Sequence, residues 1–295
     1  MNDHDVLAQQ FENNRGHLRG VAYRMLGSLS EAEDAVQECW LRLSRSESDK
    51  VENLRAWLTT VVARVCLDML RSRKSRGEEP LETPETSASE ASAIPHHAPD
   101  PETEAMMADS VGLATLVVLD RLNPAERLAF VLHDLFDIPF DEIARIAGRT
   151  SESVRQLASR ARRRVRGATK VSPEIAQQRT LVHEFLSALR AGDAAKIVAL
   201  LTPEFTVEAD RFAAPGVPAQ IRGAEAWAKE AIRTARGARF ASPALIDGVV
   251  GLVIAPRGRL FRVMRFTFTG GRIGQIDVIG DPATLEKLDL AAVSD

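Results

Sequence analysis

The chain has 295 residues, 45% of them apolar, and a net charge of −3. That length exceeds one compact domain, and the slightly acidic balance means any attraction to nucleic acid has to come from local patches. The polar start MNDHDVLAQQ is no signal peptide, and the longest apolar run, around Ile246–Ala255, is short and broken by glycine. A cytoplasmic protein without a membrane span is therefore expected. Its two cysteines, Cys39 and Cys66, lie in helical patterns and read as buried free thiols in a reducing compartment.

Residues 1–76 read as all helix. Leu18, Val21, Ala22, Met25 and Leu26 form one amphipathic stripe. Ser30 and Glu33 have the spacing of a capping box. The helix after it places Ala32, Val36, Trp40 and Leu43 on one face, with Glu31, Asp34, Gln37, Glu38 and Arg42 opposite. A third helix opens near Asn53, carries Trp57, Leu58, Val61, Val62, Val65 and Met69, and ends in Arg71, Arg73, Lys74 and Arg76. That basic end either complements the helix dipole or meets phosphates.

Residues 77–108 form an acidic, proline-rich linker. From 77 to 105 there are eight acidic residues, five prolines and no Lys or Arg, too little apolar surface to fold alone. Its adjacent His96 and His97 lack ligand-spaced partners and read as solvated, so no metal or cofactor is expected.

Residues 109–167 form a second helical unit. Asn123-Pro124-x-Glu126 is a strong helix start, and Leu128, Val131, Leu132 and Leu135 give that helix its buried face. PFDEIARIAGR then predicts a short helix broken at Gly148, and TSESVRQLASRARRRVR a basic helix capped by Thr150 or Ser151. Val154, Leu157, Ala158, Ala161 and Val165 are its apolar stripe, and arginines fill most of the remainder. A short helix, a glycine-containing turn and a basic helix are the parts of a helix-turn-helix, which lays its second helix in a DNA major groove.

Residues 172–295 change character to α+β. Helices are predicted over 172–193, closed by Gly192-Asp193, and over 194–201 and 223–236. Strands are predicted over 205–209, 244–247, 249–255, 260–269 and 272–279, with Gly270-Gly271 as a hairpin turn and a short helix after Pro282.

SEAEDAVQECWLRL, NLRAWLTTVVARVCLDMLRSRKSR and LNPAERLAFVLHDLFDIPFDEIARIAGRTSESVRQLASRARR closely resemble the successive segments of bacterial RNA polymerase sigma factors of the small extracytoplasmic-function group. The resemblance covers roughly residues 10–167. It implies a multi-domain protein in which two all-α units, region 2 and region 4, direct core RNA polymerase to promoter DNA. Polymerase contacts would be with the β′ coiled coil and the β flap, the former by Asp34, Gln37, Glu38 and Leu41. The −10 element would be opened by Asn53, Leu54, Arg55 and Trp57, with Arg64 and Arg71 near the backbone. The −35 element would be read by Ser151, Ser153, Arg155, Gln156, Ser159 and Arg160, since Arg suits guanine and Gln suits adenine. Arg162, Arg163 and Arg166 sit further along and suit phosphates.

The last 124 residues, ending GGRIGQIDVIGDPATLEKL before the terminal tail, resemble the SnoaL-like branch of the NTF2-like cone fold, implying helices on a curved antiparallel sheet. Such a domain is expected to modulate the sigma factor, and its cone leaves room for a small ligand. The competing reading is an NTF2-like isomerase or hydrolase fused to a DNA-binding regulator. Its base would be Asp210, Asp247 or Asp277, but the only tyrosine, Tyr23, lies far away in the first unit, so the tyrosine version of such a site is excluded and no enzyme is expected. An ordinary helix-turn-helix repressor leaves residues 1–76 without a role. No anti-sigma partner is named by the sequence.

Overall fold

The computed structural model describes residues 3–45, 53–76, 112–167, 172–213, 219–233 and 235–293. The acidic linker with His96 and His97 lies outside them. The chain divides into two compact units: among the described residues, the first comprises residues up to 76 together with 119–162, and the second comprises residues up to 118 from 112 together with 163–293.

The first unit begins with α1 (Asp3–Leu26), α2 (Leu29–Ser44) and α3 (Leu54–Arg76). Leu18, Val21, Met25, Leu43, Leu58 and Leu67 are buried where these three meet. The start of α2 differs from the sequence expectation. Ser28, not Ser30, is the cap and accepts from the Glu31 amide; Gly27, at φ 75°, turns the chain two residues earlier than the Ser30/Glu33 spacing suggests. Glu33 is instead drawn across to α1, where Arg15 and Arg19 reach it at 3.2 and 3.4 Å.

Helix α4 (Leu113–Asp120) is followed by α5 (Pro124–Phe130), which starts as predicted, with the Asn123 side chain accepting from the Glu126 amide at 2.9 Å. It runs on into a π-helical turn, Val131–Leu135, that the apolar pattern does not reveal. Helix α6 (Phe140–Ala147) ends at Gly148, whose φ of 66° is the left-handed conformation a helix stop favours. Helix α7 (Ser151–Arg166) follows, with Thr150 accepting from the Ser153 amide.

The second unit lays α8 (Pro173–Ala191), α9 (Ala194–Leu200) and α10 (Ala224–Arg233) against a seven-stranded sheet. The strands are β1 (Leu201–Ala209), β2 (Gln220–Arg222), β3 (Ala241–Ile246), β4 (Val249–Ile254), β5 (Arg262–Thr269), β6 (Arg272–Ile279) and β7 (Leu290–Ala292), with α11 (Pro282–Lys287) before the last. Their order is β2-β1-β6-β5-β4-β3-β7, the helix-on-sheet arrangement expected of the cone fold. The sheet is not wholly antiparallel, as the sequence reading had it: β1 runs parallel to β6, pairing Val207 with Ile276. Alternation within a strand carries no information about its neighbour's direction, because side chains alternate the same way in both ladders. The two edge strands, β2 and β7, are three residues each and too short to show a period. The Gly270-Gly271 turn is as predicted, with φ of 59° and 74° closing β5 on β6.

Candidate nucleic-acid and polymerase interfaces

On α7 the apolar stripe Val154, Leu157, Ala158, Ala161 and Val165 is buried, so the opposite side is turned out by helical geometry. Arg155, Gln156, Arg160 and Arg163 are exposed, and Ser153 and Ser159 half-buried. These side chains are not equally free. Arg155 lies 3.6 Å from Glu152 and 5.7 Å from the centre of the Phe140 ring. Gln156 donates to the same Glu152 at 3.4 Å. Ser151 donates its hydroxyl proton to Asp141 on α6, which fixes the angle of the two helices locally. Arg160 and Arg163 are in no ion pair among the described residues. Arg162 departs from the sequence expectation: it is half-buried and tied to Asp134 of the π-helical turn at 2.5 Å, so it holds α7 to that turn and is not presented to a phosphate.

The residues expected at the −10 element cluster at the start of α3. Asn53 is the helix cap, accepting from the Ala56 amide at 3.1 Å, and Trp57 is half-buried. Arg55 donates to His17 Nδ1 on α1 at 3.2 Å. The proton positions around His17 follow from counting donors. Thr59 has one hydroxyl proton, and it goes to the Arg55 carbonyl at 2.8 Å. The 3.1 Å contact between Thr59 Oγ1 and His17 Nε2 therefore has Nε2 as donor. That leaves Nδ1 bare to accept from Arg55, and the imidazole is neutral. Burial and the neighbouring Arg55 both hold its pKa below the ordinary histidine value. Arg64 is exposed and donates to the Arg145 carbonyl of α6 at 3.2 Å. Arg71 is exposed, with Asp68 3.9 Å away. At the basic end of α3, Arg73 is committed to Glu31 at 2.5 Å.

On α2, Asp34, Gln37, Glu38 and Leu41 occupy one side at positions i, i+3, i+4 and i+7. Asp34 and Gln37 are exposed, and Leu41 is a large apolar residue left 39% exposed. Glu38 is paired to Arg42 at 2.8 Å. Beside this face runs a groove of about 270 Å³ between α1 and α2, lined by Phe11, Arg15, Val36, Gln37 and Trp40 among others. Its apolar floor is the Phe11–Trp40 pair, 5.1 Å apart.

Cys39 and Cys66 are buried and free, as expected. Burial pushes the Cys39 thiol up to about 12 and the Cys66 thiol higher still.

The carboxylates proposed for an isomerase-type site are engaged elsewhere. Asp210 accepts four backbone N–H groups, from Phe212 and Ala213 on one oxygen and from Gly280 and Asp281 on the other, at 2.6–2.9 Å. Burial alone raises its pKa, but the four donors outweigh that and hold it below the usual carboxylate range. A carboxylate so stabilised is a weak base. Asp277 is held by Arg265 at 3.0 Å and Gln275 at 2.7 Å. Asp247 sits at φ 51° in the β3–β4 turn and accepts from the Asp289 amide. His183 is exposed. Between the helices and the sheet four rings pack together: Phe185 stacks on Trp227 at 5.6 Å and meets Phe266 at 5.4 Å, and Phe205 meets Trp227 at 5.5 Å.

Sequence reasoning missed Arg127. It stands inside the apolar run of α5, fully buried, donating to the Arg24 carbonyl of α1 and to Asp120, both at 3.2 Å. Its acceptors come from 103 and 7 residues away, so no local spacing announces it.

Residues 10–76 match the family model for sigma-70 region 2, and residues 113–165 that for sigma-70 region 4. The chain is 33% identical over 297 residues to the Mycobacterium tuberculosis protein described as "Probable ECF RNA polymerase sigma factor SigI", covering 98% of each. It is 36% identical over 270 residues to "ECF RNA polymerase sigma factor SigJ" of the same organism, covering 90% of this chain and 79% of the relative. The crystal structure of M. tuberculosis SigJ aligns with 94% of this chain and 98% of its own, at 30% identity and a TM-score of 0.45.

Proposed function

The chain belongs to the extracytoplasmic-function RNA polymerase sigma factors, and from that premise we propose which surfaces do the work and what the additional α+β unit is for. As a member it binds core RNA polymerase and directs initiation at particular promoters. The observation that carries the finer reading is the pair of outward faces already described. One is acidic with a bare leucine on α2, and the other is basic and polar on α7. Each is backed by a buried apolar stripe that fixes which side faces out.

The α2 face, through Asp34, Gln37, Glu38 and Leu41, docks on the β′ coiled coil, and the region 4 unit meets the β flap. Arg155, Gln156, Ser159 and Arg160, flanked by Ser151 and Ser153, read the −35 element in the major groove, and Arg163 holds a phosphate. Asn53, Arg55 and Trp57 open the −10 element, with Arg64 and Arg71 along the backbone. The α+β unit modulates this activity. Support for modulation over catalysis comes from the three aspartates, all bound within the fold, and from the rings packed against one another between helices and sheet.

The test is transcription by core polymerase supplemented with the purified chain. Asp34→Lys with Glu38→Lys is expected to lower affinity for core enzyme while leaving the helical signal intact, and unchanged affinity would overturn the α2 assignment. Removing residues 172–295 is expected to change promoter activity clearly at equal concentration. Identical activity would overturn the modulatory role.

A further inference from the structure

Three side chains at the start of α3 and the middle of α1 form a hydrogen-bonded chain that runs from the interior to the surface. Its dry end is Thr59, buried on α3. The Thr59 hydroxyl donates to the Arg55 carbonyl at 2.8 Å and accepts from His17 Nε2 at 3.1 Å. His17 is half-buried, and its Nδ1 accepts from Arg55 Nη2 at 3.2 Å. The wet end is the Arg55 guanidinium, exposed and in no ion pair among the described residues. The tautomer is fixed by the buried end. A proton on Nδ1 would set two N–H donors against each other at 3.2 Å and leave Nε2 facing a hydroxyl that has already spent its proton.

A neutral acceptor does something for Arg55 that a carboxylate cannot. Either would restrict a long side chain to one direction. A carboxylate would also cancel the charge that attracts DNA. The imidazole orients the guanidinium and leaves its charge whole, with Nε and Nη1 still available as donors. We propose that His17 is a positioning residue that aims Arg55 at the −10 element before DNA arrives. The role rests on the reading of Arg55 as a −10 contact and adds to it the residue that sets its direction.

The same geometry makes the aim sensitive to acid. Protonation turns Nδ1 from an acceptor into a donor and places two cations side by side. From α3 the ring faces Arg55 and Thr59. From the end of the π-helical turn it meets Phe136 edge-on at 5.4 Å, with the Arg24 guanidinium over that same ring. On α1 the residues one turn away, Asn13, Asn14, Gly20 and Val21, carry no charge. Burial first and Arg55 second hold the imidazole pKa below the ordinary histidine value. The accepting form therefore prevails at neutral pH, and the aim is lost as pH falls through the lowered value.

The experiment mixes the full chain and core polymerase with a promoter fragment carrying a fluorescent adenine analogue in the −10 element, and reads the rate of strand opening. His17→Ala is expected to slow opening by about 2- to 10-fold, the range for fixing one long side chain. His17→Gln, whose amide oxygen accepts and whose amide nitrogen donates, is expected to restore the rate, and His17→Lys, which only donates, is expected not to. On an Arg55→Ala background, His17→Ala should cost nothing more. In the chain without polymerase, Arg55→Ala is expected to raise the midpoint at which the His17 ring resonance titrates, because the repelling charge is gone. If His17→Ala loses helical signal, the Gln and Lys variants and the titration decide. Equal opening rates for His17→Gln and His17→Lys, or an unmoved His17 midpoint, overturn the positioning role. Failure of the −10 reading shows separately, as Arg55→Ala opening the promoter as fast as the unsubstituted chain, and it removes the role with it.

Discussion

Replacing Arg160 by alanine should cost more at the promoter than replacing Arg155, although the two lie five positions apart on the same helix. A bidentate arginine–guanine contact discriminates by about 1–3 kcal/mol. Arg160 is exposed and enters no ion pair among the described residues, so nearly all of that contribution is lost on truncation. Arg155 starts from a different place. Before it meets DNA it leaves Glu152, 3.6 Å away, an exposed helical pair of about 0.3–0.5 kcal/mol. It also leaves the Phe140 ring at 5.7 Å, an exposed cation–π contact of about 0.5–1 kcal/mol. Subtracting roughly 1 kcal/mol brings its net contribution down to about 0–2 kcal/mol by the same scale. Glu152→Ala should therefore strengthen promoter binding, because it frees Arg155 and Gln156 and removes a negative charge from beside the DNA backbone. The assay is holoenzyme binding to a promoter fragment and to fragments altered at single −35 positions, at one fixed salt concentration. Arg160→Ala should lose affinity by a factor of about 5–150 and lose discrimination at one position. The double substitution Glu152→Ala with Arg155→Ala should fall below Glu152→Ala alone by more than Arg155→Ala falls below the starting chain. The reasoning is refuted if Arg155→Ala is the more costly change, or if Glu152→Ala weakens binding.

Further consequences follow from particular side chains. Arg163→Ala should weaken binding to all promoter sequences alike and shallow the salt dependence by about one unit of slope, measured across a salt titration. His17 is neutral in the folded chain with its pKa depressed, so its contribution to stability is present above the unfolded value near 6.5 and is lost as pH falls through the lower folded value. His17→Gln should flatten denaturant midpoints across that acid window. Asp210 behaves in the same sense at lower pH: its stabilisation is complete above about pH 4 and disappears as pH drops through its depressed folded value. Asp210→Ala, which strands four backbone donors, should lower the stability of the α+β unit by about 2 kcal/mol, read from chemical denaturation.

Most of the local architecture is legible in the residues themselves. Helical spacing marked α2, α3, α6, α7 and α8 because each buries one continuous stripe, and a stripe is a property of a single segment. Asn123 with Pro124 and the Gly270-Gly271 pair were legible because caps and tight turns are set by residues touching their own neighbours. Asp34, Gln37, Arg155, Gln156, Arg160 and Arg163 face outward for the same reason, what is not in the stripe being left to solvent, whereas Glu38, Trp57, Ser153 and Ser159 are half-buried. What the chain order could not reveal depends on partners brought in from elsewhere. Gly27 moved the α2 cap to Ser28, and α1 then claimed Glu33 for Arg15 and Arg19. Arg162, read as a phosphate contact, was taken by Asp134 once the π-helical turn had set that carboxylate beside α7. The parallel pairing of β1 with β6 and the short edge strands came from sheet assembly. Arg127 shows the limit most plainly. In sequence it is an ordinary charged residue on a helix, and only folding places the Arg24 carbonyl and Asp120 around it and closes off the water. Periodicity records which side of an element is buried, whereas the identity of what covers it is a three-dimensional fact. That is why the outward side of α7 was readable in advance and the partners of Arg127 were not.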